Sequence, residues 1–142
     1  MPPPASVHHD QSLVFAIDFD GTICEFAVPE IGAPLPGAFE TLRELQALGH
    51  RLVLWTCRED EPHRAALQEA IAFCEERGVY FECVNCTPED YEFRRPPTLS
   101  RKVKADFYID DRMLGGFPGW EVLRELLKLP PLATKSATPG GK

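Results

Sequence analysis

The chain has 142 residues, 44% of them hydrophobic, and a formal net charge of -7. That length suits one domain with a real core, and the acidic balance argues against a surface built to grip nucleic acid or a DNA groove. No apolar run approaches the about 20 residues of a membrane span, and the first twelve residues lack the charged-then-apolar pattern of a signal peptide, so a soluble, cytoplasmic protein with no membrane partner is expected.

Residues 1–12, with Pro2-Pro3-Pro4 and His8-His9, read as a flexible tail, and the histidine pair reads as solvated. Leu13 to Ile17 is a short apolar run of strand type. Ala38 to Leu48 carries Phe39, Leu42, Leu45 and Leu48 at helical spacing, with Gly49 as its stop. Arg51 to Trp55 reads as a second strand. Pro62 to Arg77 reads as a helix with an acidic start (Glu59, Asp60, Glu61), ending at Gly78. Val79 to Val84 and Asp106 to Ile109 read as further strands, and about Trp120 to Leu129 as a last helix. Residues 130–142, with Pro139-Gly140-Gly141, read as a second flexible tail. Strands alternating with helices imply parallel βαβ units. The expectation is one α/β domain over 13–129, a three-layer α/β/α sandwich with a mostly parallel sheet covered on both faces.

Three of those strands run into reactive side chains. Asp18-Phe19-Asp20-Gly21-Thr22 follows the first, Thr56-Cys57-Arg58 the second and Asp110-Asp111-Arg112 the fourth, with Lys102 and Lys104 just before it. In a parallel sheet these ends gather on the carboxyl edge, where open α/β sheets bind ligands. Two acids one residue apart at a buried strand end repel each other and resist desolvation unless a cation joins them. Hard divalent cations prefer such oxygen ligands. Single residues have plainer readings: Thr56 as a helix cap, Arg58 as a surface partner of Glu59 or Asp60, Arg112 as a loop anchor, Lys104 as a solvated lysine. The five cysteines (Cys24, Cys57, Cys74, Cys83, Cys86) form no disulfide framework, and Cys83 to Cys86 has half-zinc spacing without a matching second pair.

With these four groups in this order, the chain resembles the haloacid dehalogenase superfamily of phosphohydrolases over residues 13 to 129, and overall its small, capless, hydrolase-like bacterial members. The resemblance implies Asp18 as the nucleophile that forms an aspartyl-phosphate and Asp20 as general acid/base. It also implies Thr56 and Lys102 (or Lys104) as catalytic groups. Mg²⁺ would be held by Asp18, Asp20, Asp110 and Asp111, with Asp111 preferred over Asp110 as the direct ligand. Gly21, Thr22, Cys57, Arg58 and Arg112 would contact the substrate, a small phosphomonoester. The Ile109-Asp110-Asp111-Arg112 run also resembles deoxyribonucleotidases and polynucleotide 3′-phosphatases, making a nucleotide the runner-up substrate. A phosphorylated receiver domain fits less well, because there the acid pair precedes the isolated aspartate. A catalytically silent binding protein would have no reason to keep so costly a cluster. Cys24 to Gly37 is long enough only for a flap, with Phe26, Val28 and Ile31 as shields. The loop Thr87 to Arg101 is a candidate wall, and an uncovered site leaves room for a second subunit in a homo-oligomer.

Overall fold

The computed structural model describes residues 6–94 and 101–133. Its centre is a four-stranded parallel sheet in the order β5-β2-β1-β6. The strands are β1 (Val14–Ile17), β2 (Arg51–Leu54), β5 (Cys83–Val84) and β6 (Phe107–Ile109). β1 pairs with β2 from Val14 opposite Arg51 to Ile17 opposite Leu54, and with β6 from Phe15 opposite Phe107 to Ile17 opposite Ile109. The expected alternation is present as an α/β fold with helices flanking a parallel sheet.

Because side chains alternate along a strand, one face carries Phe15, Ile17, Leu52 and Leu54, all buried in the main core. Three helices cover this face: α1 (Ala38–Ala47), α2 (Ala66–Glu75) and α4 (Trp120–Leu126). They supply Phe39, Leu42, Leu45, Ala70, Cys74 and Trp120. The opposite face is covered more thinly, since the chain must cross it to pass from β5 at one edge to β6 at the other. Along that crossover lie Val103, buried against Val53 and Cys83, and the short helix α3 (Pro88–Glu92). Glu89 of α3 pairs with Arg51, the neighbour of inward-facing Leu52. α3 falls where a loop was expected, and its continuation over 95–100 lies outside the described residues.

Two expectations about the chain's course need correction. A small antiparallel hairpin, β3 (Asp60–Glu61) and β4 (Arg64–Ala65), occupies what reads as the start of the second helix. Pro62 and His63 form its turn, and Asp60 Oδ1 accepts the amides of Leu67 and Gln68, so the acid caps the helix from outside it. The tails are also not loose where described. Val7 is buried in the core, His9 bonds His50 and the Leu127 carbonyl, and Ser12 donates to the Gly49 carbonyl. At the other end Leu129 is buried, and Arg124 donates to the Pro130 carbonyl, Thr41 Oγ1 and Glu44, tying α4 to α1. Residues 1–5 and 134–142 lie outside the described residues. No helix among the described residues is long and apolar enough to cross a membrane.

Candidate functional site

Asp18 directly follows β1 and Asp110 directly follows β6. The Asp18 amide donates to the Ile109 carbonyl at 2.9 Å, which fixes the two strand ends side by side. One carboxylate oxygen each from Asp18, Asp110 and Asp111 lies within 4.8 Å of the others. Among the described residues this is the one cluster of acid, histidine or cysteine groups able to hold a metal ion, so Cys83 and Cys86 gain no further ligands. Burial first and the Asp110 charge second push the Asp18 carboxyl up to about 7, while Thr22 Oγ1, donating to Asp18 Oδ2 at 3.0 Å, pulls it down.

The turn after Asp18 is shaped for this crowding. The amides of Ile23 and Cys24 return to the Phe19 carbonyl, and Gly21 adopts φ +84° with its amide on the Cys24 carbonyl. A Cβ at Gly21 would lie 2.2 Å from Asp111 Oδ2, so only glycine lets the Asp111 carboxylate close on this turn. Thr22 is fully buried, and its carbonyl accepts the Trp120 indole N–H at 2.7 Å. Trp120 thus anchors the loop from α4, a role its place in an apolar helical stripe does not announce.

Asp20 lies apart from the acidic trio. Its two oxygens accept Arg58 Nη2 and Nε, both at 2.8 Å. Arg58 also donates to the carbonyls of Pro29, Glu30 and Ala66, and its guanidinium lies 5.1 Å from the centre of the Phe19 ring. All five guanidinium N–H groups are therefore used, on a side chain only 2% exposed. Arg58 is thus not the expected surface partner of Glu59 or Asp60, and no guanidinium N–H is left over for the expected substrate contact. The Asp20 carboxylate, expected among the metal ligands, is thus engaged by Arg58 and is not part of the trio.

Thr56 sits two residues past β2. Its hydroxyl accepts the Arg58 amide, while Asn85 Oδ1 accepts the Thr56 amide and Asn85 Nδ2 donates to the Thr56 carbonyl. Asn85 has φ 51°, a left-handed conformation that asparagine tolerates better than most residues. Sequence reading passed over it. Its position, one residue beyond β5 on the same sheet edge as the other groups, is the signal that could have found it. Cys57 and Arg112 are exposed, and the Arg112 amide caps Asp110 Oδ1. The Lys102 ammonium stands 5.3 Å from the centre of the Tyr108 ring, in the strand that ends beside Asp110. Lys104 is exposed, its amide on Thr87 Oγ1. Of the expected flap shields, Phe26 and Val28 are exposed and Ile31 packs on the core. The flap is a loop closed by the Glu25 amide on the Ala33 carbonyl and the Leu35 amide on the Ile23 carbonyl. Tyr91 and Phe93 of the expected wall are exposed; its residues 95–100 lie outside the described residues.

Fold and site together define an α/β protein with a parallel sheet and a carboxylate cluster at the carboxyl ends of two adjacent strands. The chain is similar to a solved structure of a conserved protein from Bacteroides thetaiotaomicron, at 44% identity and a TM-score of 0.70, over 83% of this chain and 91% of that one. It belongs to that protein's family. No family model and no curated protein matches the chain.

Proposed function

We propose that this protein is a Mg²⁺-dependent phosphatase of the haloacid dehalogenase type, hydrolysing a phosphomonoester through an aspartyl-phosphate on Asp18. The observation that carries the reading is the trio Asp18, Asp110 and Asp111, with one oxygen of each drawn within 4.8 Å of the others. Such a set favours a hard divalent ion, because every donor is an oxygen and none is a thiolate or imidazole. Asp18, Asp110 and Asp111 would hold the ion together with the Asp20 carbonyl. When bound, it supplies positive charge that ionises Asp18 and offsets the charge of the transferred phosphoryl group.

The chain's own residues account for the rest. Thr22 holds Asp18 Oδ2, so Oδ1 is the oxygen left to attack phosphorus. The bond to the leaving oxygen breaks as the aspartyl-phosphate forms, and Asp20, entering the step as the neutral acid, gives that oxygen its proton. Asp20 then takes a proton from the water that cleaves the intermediate. The Thr56 hydroxyl already accepts the Arg58 amide, so its own O–H is free to donate to a phosphoryl oxygen. Gly21 lets the backbone come close beneath the phosphate.

A direct assay is hydrolysis of p-nitrophenyl phosphate with and without Mg²⁺. Turnover is expected only with the metal, and Asp18→Asn should remove it by at least about 10³-fold, as loss of a nucleophile does. Absence of metal-dependent turnover, or undiminished turnover by Asp18→Asn, would sink the proposal.

A further inference from the structure

Arg58 is the most heavily bonded side chain near the site, and the mechanism above does not use it. Its five donors join three separate pieces of chain: Asp20 in the first turn, Pro29 and Glu30 in the flap, and Ala66 at the start of α2. The fork matches both oxygens of one carboxylate, a geometry that a lysine cannot reproduce. Asp20 is itself only 10% exposed, so without this fork a buried carboxylate would lack both of its partners. Arg58 has no N–H left for a phosphate.

We propose that Arg58 is a positioning residue that sets the orientation of Asp20 and fixes the flap against it. This rests on the phosphatase reading, in which Asp20 carries the proton. The flap is pinned a second time, independently. Arg64 holds the Glu30 carboxylate at 2.7 and 3.1 Å and also bonds Glu69, without touching Asp20. Arg64 therefore provides a control that loosens the flap and leaves the proton carrier in place.

The geometry makes three outcomes separable. If Arg58 acts through Asp20, Arg58→Lys keeps the charge but loses the fork, and kcat falls while KM hardly moves. Esters whose leaving oxygen most needs a proton should suffer most, so an alkyl phosphate should lose more than p-nitrophenyl phosphate. Once Asp20 has no proton to give, Arg58 should no longer matter.

The test is steady-state kinetics with Mg²⁺ on both esters for wild type, Arg58→Lys, Arg64→Gln, Asp20→Asn and the doubles Asp20→Asn/Arg58→Lys and Asp20→Asn/Arg58→Gln, each checked by thermal melting. The last double removes both charges of the buried pair, so it keeps the test open if a single Arg58 change unfolds the protein. Arg58→Lys is expected to lower kcat by about 10²-fold, in the range of misplaced acid–base catalysis, with KM within about threefold. Arg64→Gln should match wild type, and either Arg58 change should alter the Asp20→Asn rate by less than about threefold. A folded Arg58→Lys with wild-type kcat overturns the inference. So does an equal loss from Arg58 changes in the Asp20→Asn background, or an equal loss in Arg64→Gln. A wild type without turnover on either ester overturns the phosphatase reading and the inference with it.

Discussion

Among the described glycines, the closest approach is that of Gly21 to Asp111. A methyl group at position 21 would both sit 2.2 Å from Asp111 Oδ2 and force an L side chain into φ +84°. Gly21→Ala should therefore destabilise the fold by about 1–3 kcal/mol, the usual range for a left-handed non-glycine residue. It should also weaken Mg²⁺ binding by pushing Asp111 out of the trio. Urea unfolding and a Mg²⁺ titration on the same variant check both; unchanged metal affinity would show that Asp111 is not a ligand. The sequence made Asp18, Asp110 and Asp111 legible because a carboxylate at a buried strand end has few structural uses. It could not reveal Arg58 in the same way. An arginine beside Glu59 and Asp60 has near partners in the chain, and only the folding of β1 next to β2 shows that Asp20, 38 residues away, is the true one. Lys102, chosen by motif order, lies over the Tyr108 ring, a contact with no signal in the sequence.

At the scale of elements, β1, β2, β6 and the three long helices were readable because their apolar spacing is also their burial, whereas the strand expected over Val79 to Val84 is only Cys83–Val84. The β3–β4 hairpin was not readable, since two-residue strands with exposed side chains carry no periodicity. The segment before β1 was misread for a related reason: the pair His8-His9 looks solvated until a partner for His9 appears. That partner is His50. The Leu13 amide donates to His50 Nδ1, His50 Nε2 shares a hydrogen with His9 Nδ1 at 2.9 Å, and His9 Nε2 faces the Leu127 carbonyl at 2.8 Å. With each ring carrying one hydrogen, every position in this chain has one donor and one acceptor. A proton added to His50 would set donor against donor, and burial followed by the His9 interaction holds the His50 pKa below its ordinary 6.5. The unfolded chain then binds more protons below that value, so this contribution to stability is complete above about pH 6.5 and fades as pH falls. Melting temperatures between pH 7.5 and 5 should fall more steeply for wild type than for His50→Ala, which starts lower; parallel slopes would exclude the relay as the cause.

Across the whole molecule, the sheet gathers its functional groups by one rule. β1, β2, β5 and β6 run parallel, so Asp18, Thr56, Asn85 and Asp110 all emerge at the same edge. The helices lie mainly on one face, and the acidic trio sits at the carboxyl edge of the sheet. The electrostatic cost of that trio is borne by the fold, which predicts a linkage between pH, Mg²⁺ and stability. Without metal, the Asp18 carboxyl lies near 7 against an ordinary 3.8. A raised acid binds its proton more tightly in the fold. The associated stability is full below about pH 3.8 and is lost as pH rises through about 7. A divalent ion must displace that proton, so its apparent affinity falls as pH drops below about 7. The stabilisation by a ligand grows with its concentration over its dissociation constant, reaching about 2.7 kcal/mol at a hundredfold excess. Saturating Mg²⁺ should hence raise the melting temperature by several degrees at pH 8 and by little at pH 5. In Asp18→Asn, which has no proton to displace, the shift should lose this pH dependence. A wild-type shift of equal size at both pH values would mean that the ion binds away from Asp18.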